Sequence, residues 1–278
     1  MQPTIAFIGA GNMCRAIFGG MIKNGYSAEK ITATGRNIDK LADLAAQGIN
    51  VTTDNAHAIK NSQVVVFGVK PQMMQAVCEP LAEVCQAQQP LIISVAAGIT
   101  AQSLEAWLGG NLAVVRCMPN TPSLVQEGAS ALCANVLVNQ QQKDIAQQVI
   151  ANTGLALWVD SEAQLDVVTA LSGSGPAYFF LLMESMIDAA VSQGLTRETA
   201  TQLAMQTARG AAVIAQEEED SPAELRRKIT SPKGTTEQAI LSFQGAGFAD
   251  MIKAGMQANI ERSEQLAEEF GANPKTGS

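Results

Sequence analysis

Near the start of the chain an apolar run over residues 4–9 leads into Gly9-Ala10-Gly11-Asn12-Met13-Cys14 and then into a helix-like stretch. Two glycines at this spacing, between a strand and a helix, suit a pyrophosphate. Gly9 permits a tight turn, and Gly11 lets the backbone come close to the charge. The amides that follow, from Asn12 and Met13 onward, face the anion with the helix dipole behind them. Cys14 stands where a third glycine or alanine is usual, but that position asks only for a small side chain between helix and strand. The second strand-like run ends in Thr34-Gly35-Arg36-Asn37. Sites for NAD carry Asp or Glu here, on the ribose hydroxyls. None is present, and Arg36 can meet a 2′-phosphate through two parallel hydrogen bonds. Asp39 follows one turn later and is read as satisfying first-turn amides. NADPH is therefore the expected cofactor, with NADH as the alternative.

Two further segments fall at strand ends: Gly68-Val69-Lys70-Pro71-Gln72 and Ser94-Val95-Ala96-Ala97-Gly98. Ligands of open α/β sheets sit outside the carboxyl ends of strands, where the strand order reverses. Ala96, Ala97 and Gly98 are small enough to leave room for a flat ring. Lys70 either reaches a phosphate or is an ordinary exposed loop lysine.

These residues need a scaffold, and the pattern supplies one. Strand-like runs at 4–9, 31–34, 64–69, 91–95, 114–118, 130–134 and 155–159 are separated mostly by helical stretches at 12–24, 37–46, 72–86, 101–108 and 141–152. Short apolar runs without alternation suit parallel strands covered on both faces. The alternation predicts a doubly wound, mostly parallel α/β sheet of the Rossmann kind over residues 1–160. From 161 to 278 only helical stretches appear, at 163–171, 177–193, 197–218, 222–229, 236–243 and 247–270. Gly194 followed by Thr196 reads as a helix stop and a new N-cap. Ser221-Pro222 reads as an N-cap with proline in the first turn. An all-α second domain is therefore expected. Its Met- and Ala-rich helices are too apolar for a half-exposed bundle, so it is expected to join subunits.

The chain has 278 residues, with 18 Lys+Arg against 26 Asp+Glu and a formal net charge of −8. An acidic balance argues against a nucleic-acid partner, which needs a positive field. Hydrophobic residues make up 47%, enough for a sizeable core and too many for wholesale disorder. Cys14, Cys78, Cys85, Cys117 and Cys133 are odd in number and form no C-x-x-C pair, which suggests reduced thiols and a cytoplasmic setting. One histidine, His57, argues against a histidine metal site or a Ser-His-Asp triad, so no metal is expected. It follows Asp54-Asn55, a helix start, and reads as a surface residue. No targeting segment is expected, and no membrane span, since Glu184 and Asp188 interrupt the longest apolar stretch.

Several longer runs then converge. Val69-Lys70-Pro71-Gln72, Arg116-Cys117-Met118-Pro119-Asn120-Thr121-Pro122, Leu171-Ser172-Gly173-Ser174-Gly175-Pro176-Ala177-Tyr178 and Ile229-Thr230-Ser231-Pro232-Lys233-Gly234-Thr235-Thr236 occur in this order. With residues 9–13 they resemble the pyrroline-5-carboxylate reductase family over essentially the whole chain. The resemblance implies NAD(P)H-dependent reduction of the cyclic imine Δ1-pyrroline-5-carboxylate to L-proline. It also implies homodimers that interlock through the helical domain, with decamers as a further assembly, and places Asn55 near the adenosine ribose. Lys233 stands where the family has glycine, adding charge beside the substrate loop, and Cys14 where alanine or glycine is commoner.

Imine reduction needs the ring nitrogen protonated, the carboxylate held and the imine carbon against the hydride donor. Thr235-x-x-Gln238 resembles a capping box opening the helix at 236–243, which would leave the Gly234, Thr235 and Thr236 amides for a small anion. On residues alone an ordinary capped turn is the simpler reading. The resemblance instead assigns Ser231 and the backbone of Gly234, Thr235 and Thr236 to the carboxylate, and the Thr236 hydroxyl to the ring nitrogen. Tyr178 is either a proton donor or a half-buried aromatic, and Glu162 is a candidate to reach substrate. A β-hydroxyacid dehydrogenase would need a lysine after the Gly-rich junction, but none lies between Lys143 and Lys228. A redox sensor that only binds NADP would not need the 231–236 loop.

Overall fold

The structure, a computed structural model, describes residues 2–271. Eight strands form one sheet: β1 (Ile5–Ile8), β2 (Ile31–Thr34), β3 (Asn50–Thr52), β4 (Val64–Phe67), β5 (Leu91–Ser94), β6 (Val114–Met118), β7 (Gly128–Ala134) and β8 (Gly154–Trp158). Their order is β3-β2-β1-β4-β5-β6-β7-β8. All pairs are parallel except β6–β7, where Val115 faces Ala134 and Met118 faces Ala131. The order reverses at β1, which has Ile5 beside both Ile31 and Val64. A crevice at its carboxyl end is therefore expected.

Every residue of β1, β4 and β5 is buried, as helices on both faces require. Strand alternation sorts them into two cores. Ile5 and Phe7 point to one, where Phe7 meets Phe18 edge-to-face at 5.2 Å. Ala6 and Ile8 point to the other, with Met74, Ile92 and Leu104. The helices of these layers are α1 (Asn12–Lys23), α2 (Ala42–Ala45), α3 (Asn55–Lys60), α4 (Pro71–Cys78), α5 (Ala82–Gln88), α6 (Ala101–Trp107) and α7 (Gln140–Ala151). The expected helix at 37–46 is a 3-10 turn at Ile38–Leu41 followed by the short α2. The expected helix at 72–86 is interrupted between α4 and α5 by a 3-10 turn containing Pro80.

Beyond β8 come α8 (Glu162–Val168), a π turn (Thr169–Gly173), α9 (Gly175–Ser192), α10 (Arg197–Glu217), α11 (Pro222–Lys228), α12 (Thr235–Gly245) and α13 (Phe248–Phe270). By packing, the chain forms two compact units, 2–174 with 258–271 and Gly175–Gln257. The last strand ends at Trp158 and only helical elements follow from Glu162, but α8 and the second part of α13 pack with the sheet. Leu165 joins Ala131 and Cys133 on the outer sheet face, and Ser263 donates to Asp166 Oδ1 at 2.7 Å.

Inside the second unit, α9 and α10 form a hairpin. Gly194 takes φ +104°, the Thr196 side chain accepts from Thr199 N–H, and Asp188 pairs with Arg197 at 2.8 Å. Ser221 caps α11 with Glu224 in a capping box, and Pro222 opens the helix. Phe179, Phe180, Leu181, Leu203, Met205 and Met251 are all at least 57% exposed, a large apolar surface for a water-facing unit. The helical run Glu162–Ser192 is long and apolar enough to cross a membrane by length and composition. Glu184 and Asp188 therefore do not by themselves decide against a span, and length and composition alone are weak evidence for one.

Candidate active site

At the carboxyl ends of β1, β2 and β4 lies a cleft of about 870 Å³. Gly9 turns the chain there with φ +91°, and a Cβ on it would come 2.8 Å from Val69 Cγ1. The turn is held by β2: Gly9 N–H donates to Thr34 Oγ1 at 3.2 Å and Ala10 N–H to the Thr34 carbonyl at 2.8 Å. Gly11 is the N-cap of α1, and its Cβ would meet nothing closer than Gly68 O at 3.7 Å. The protein itself would thus tolerate a side chain at Gly11, so its bareness serves what approaches from the cleft. The first amides of α1, at Asn12 and Met13, have no intrahelical acceptor. Cys14 is accommodated from the opposite strand, since a Cβ on Gly68 would fall 2.1 Å from its sulfur. Burial pushes that thiol up to about 12.

The cleft wall carries cations and no carboxylate: Arg15, Arg36, Lys40 and Lys70 line it. Arg15 is structural, donating to the Ala10 and Lys40 carbonyls and pairing with Asp43. The hydrogen bond from Arg15 holds the Asp43 carboxyl below its ordinary range. Arg36, Lys40 and Lys70 are exposed and make no ion pair among the described residues. Asn37 caps the turn after β2 by accepting from Asp39 N–H, and lines the cleft with Gly35, Asn55 and Val69. The residues fit a dinucleotide in volume, in the glycine turn and in charge.

Some expected cofactor residues lie outside the cleft lining. Met13 packs on the first core, Pro71 opens α4, and Asn12 and Gln72 are exposed on first helical turns. Ala96 is buried in the second core. At Gly98 the room is taken: φ is +71°, and a Cβ there would come 3.2 Å from Leu266 Cβ. Its bareness admits α13 on that side. His57 is exposed on α3, its N–H capped by Asp54.

Glu162, the candidate to reach substrate, has protein partners for both carboxylate oxygens. Its Oε1 accepts from Ala101 N–H at 2.7 Å, and its Oε2 lies 3.4 Å from the buried Arg116 guanidinium. The carboxylate thus joins the start of α6, β6 and α8. Nearby, Asn120 accepts from Ala129 N–H at 2.9 Å and donates to the Ser172 carbonyl at 3.0 Å. Asn259 donates to Ser174 Oγ at 2.8 Å. Two amide side chains therefore brace the Gly-rich junction after the π turn. Arg116 and Asn120 were visible in sequence only as members of a motif, and Asn259 carried no signal.

In the second unit, α12 opens at Gly234 rather than through a Thr235–Gln238 box. Gly234 is the extended N-cap, without a side-chain cap. Glu237 competes for the role, its Oε2 accepting from Lys233 N–H at 2.7 Å. Gly234 N–H is also spent, on the Ser231 carbonyl at 3.0 Å, so the anion-facing amides reduce to those of Thr235 and Thr236. Glycine is required at 234, where a Cβ would fall 2.4 Å from Ser231 Oγ. Thr236 is half-buried, and Ser231 and Thr235 are exposed. The Tyr178 hydroxyl, on α9, is buried without a hydrogen-bond partner.

Comparison with known proteins agrees with this arrangement. A family model described as pyrroline-5-carboxylate reductase dimerisation matches residues 162–266. One described as NADP oxidoreductase, coenzyme F420-dependent, matches residues 4–98. The pyrroline-5-carboxylate reductase of Pseudomonas aeruginosa is 52% identical, covering 97% of this chain and 98% of its own. That of Vibrio alginolyticus is 41% identical over 96% and 98%. Among solved structures, the Coxiella burnetii pyrroline-5-carboxylate reductase superposes with a TM-score of 0.93 at 43% identity, covering 96% of this chain and 99% of the other. The Plasmodium falciparum pyrroline carboxylate reductase, solved with NADP bound, gives 0.84 at 28% identity over 96% and 99%. A glycine turn under a cationic cleft, a helical unit with an apolar surface, and identity over nearly the full length lead to one conclusion: the chain belongs to the pyrroline-5-carboxylate reductase family, the oxidoreductases that reduce pyrroline-5-carboxylate to proline with NAD(P)H.

Proposed function

We propose that NADPH is the preferred reductant of this enzyme and that the 231–236 loop holds its substrate. The observation that carries the cofactor reading is the cleft wall at the end of β2, which has no carboxylate and where Arg36 and Lys40 make no ion pair among the described residues. Two guanidinium donors fit a phosphate monoester, whereas ribose hydroxyls call for an acidic acceptor. A reduced nicotinamide bound to the first unit supplies the hydride. The chain's part is to hold and orient. The Thr235 and Thr236 amides, at the positive end of α12, meet the substrate carboxylate, and Ser231 closes the loop. The Thr236 hydroxyl accepts from the protonated ring nitrogen, favouring the iminium that takes hydride, or donates to the neutral imine as it gains its proton. Tyr178, with its buried and unpartnered hydroxyl, is the second candidate for that proton.

The functional division falls at 160/161, between a Rossmann domain and a helical domain that pairs two copies. The apolar surface of Glu162–Ser192 then faces a partner subunit rather than a lipid. Dimers assemble further into decamers, and the enzyme works on a small molecule in the cytoplasm with its buried thiols reduced. The test is Thr236→Ala. Loss of one preorganised donor costs about 2.7–4 kcal/mol, or about 10²–10³-fold in kcat. Thr236→Ser keeps most of the activity. If Thr236→Ala turns over like the wild type while Tyr178→Phe does not, the proton belongs to Tyr178. Light scattering of the intact protein gives the subunit number, and a fully active monomer would exclude the pairing.

A further inference from the structure

Among the described residues, the non-glycine positions with positive φ are Gln89, Asn111, Gln126 and Lys233. Gln89 closes α5, Gln126 closes the 3-10 turn Thr121–Val125, and Asn111 follows Gly109 and Gly110. Left-handed residues are ordinary at such chain-reversing ends. Lys233, with φ +59°, is the third residue of the Ser231–Gly234 turn that leads into the N-cap of α12, a position where glycine or asparagine is usual. Its N–H is fastened to Glu237 Oε2, so the conformation is held in place. A side chain with a Cβ is disfavoured there and glycine is not. Strain kept in a loop beside a candidate site calls for a functional reason.

The side chain offers one. Lys233 is exposed and makes no ion pair among the described residues. Arg226, Arg227 and Lys228 precede it on α11. Lys228 pairs with Asp220 and Arg227 approaches Glu224 at 3.7 Å, which leaves Arg226 and Lys233 without an acidic partner. The only acidic residue in the loop and the first turn of α12 is Glu237, already engaged with the Lys233 amide. On a chain of formal charge −8, Lys233 is the one charged residue within 229–236, so it sets the charge that an anion meets on the loop itself.

We propose that Lys233 is a specificity-determining residue: its ammonium attracts the carboxylate of the small cyclic substrate to the 231–236 loop, at the expense of backbone stability. The inference rests on reading that loop as the substrate site. It makes an unusual pair of expectations, because affinity and stability should move in opposite directions. A unit charge about 7 Å from a carboxylate in a water-like dielectric corresponds to about a threefold change in binding. Ions screen such an effect within about 3 Å at molar salt.

The experiment compares Lys233→Gly, Lys233→Glu and Lys233→Arg in the intact enzyme. Lys233→Gly should raise the thermal midpoint by about 1–2 °C by removing strain. In low salt it should raise KM for pyrroline-5-carboxylate and the Kd of tetrahydrofuran-2-carboxylate about threefold. Both differences should vanish at about 1 M salt, and KM for the nicotinamide cofactor should not change. Lys233→Glu should weaken carboxylate binding further without gaining stability, and Lys233→Arg should behave as wild type. The uncharged tetrahydrofuran-2-carboxamide should bind all four proteins alike. Equal carboxylate affinity in wild type and Lys233→Gly overturns the proposal, as does an equal loss for the amide or a shift confined to cofactor KM. Thr236→Ala, measured alongside, separates the two failures. If it lowers turnover while Lys233→Gly leaves carboxylate binding intact, only the lysine's role is lost. If neither variant changes turnover or carboxylate binding, the loop itself is not the substrate site.

Discussion

Replacing Glu162 distinguishes a structural carboxylate from one that touches substrate. The Arg116 side chain is 9% exposed and that of Glu162 34%, with the charges 3.4 Å apart. Coulomb attraction at that distance is about 5 kcal/mol at an effective dielectric of about 20 and about 1 kcal/mol in water. A carboxylate one-third open to solvent sits toward the weaker limit, so about 2 kcal/mol is a reasonable magnitude. The bond to Ala101 N–H adds about 1.5–3 kcal/mol as a charge-assisted hydrogen bond. Glu162→Gln keeps an acceptor for Ala101 and loses the charge, so it should cost about 2 kcal/mol. Glu162→Ala loses both, leaving a buried guanidinium unpaired, and should cost about 4 kcal/mol. At about 2 °C per kcal/mol for a chain of this size, the thermal midpoints should fall by about 4 and 8 °C. Adding Arg116→Met to Glu162→Gln should recover part of the loss, because the unpaired buried charge is gone. KM for pyrroline-5-carboxylate should stay within about twofold, since the carboxylate is occupied by protein partners. A Glu162→Gln variant that melts like wild type while that KM rises tenfold would refute the structural role. Such a result would return Glu162 to the substrate.

Three further outcomes follow from the same geometry. Arg36→Asp should weaken NADPH binding about 10–100-fold, the loss of charge-assisted hydrogen bonds to a phosphate, while NADH binding holds or improves; equal changes in the two dissociation constants would disprove the phosphate role. Gly68→Ala drives a Cβ into the Cys14 sulfur and should cost about 1–3 kcal/mol as overpacking, and Cys14→Ala in the same chain should restore most of it in urea unfolding; additive losses would show that the sulfur is not the obstacle. Burial raises the thiols of Cys14, Cys78 and Cys117 from an ordinary 9.0 to about 12 and that of Cys85 to about 11. Above pH 9 the unfolded chain therefore releases protons that the folded one keeps. Stability should fall by about 1.4 kcal/mol per pH unit for each such thiol until its folded value is reached, and a pH-independent urea midpoint between pH 9 and 11 would contradict it.

The nucleotide half was legible because its signals are local. Gly9 and Gly11 sit within one turn, and the apolar runs of β1, β4 and β5 read as buried parallel strands without knowing their neighbours. β3 escaped notice because Asn50-Val51-Thr52 is three residues long, at the sheet edge and only partly buried. The bracing around α8 and the π turn was illegible for a different reason. Glu162 finds Ala101 and Asn120 finds Ser172 across more than fifty residues of chain, and nothing in the spacing announces the partner. At the opening of α12 two local rules competed. A Thr235 box and a Glu237 latch are both compatible with the sequence, and the structure forms the latch, with Gly234 as the N-cap. Gly98 looked like space for a ligand ring because a glycine shows that something comes close without saying what.

The return of the final helix to the sheet bears on how the protein is made. Ser263 holds Asp166, Leu266 lies over Gly98, and Phe270 packs against the second core. The sheet unit therefore closes only when residues 258–270 have been synthesised. Domains usually fold as they emerge, amino-terminal first, at about 5–20 residues per second. Here all of Gly175–Gln257 is translated between the two parts of the first unit. For those seconds the nascent chain carries an unfinished core face at Gly98 and, as they appear, the apolar surfaces of α9 and α10. A stop codon placed just before Ala258 would spare every cofactor residue in the glycine turn and still be expected to yield a product that chaperones retain.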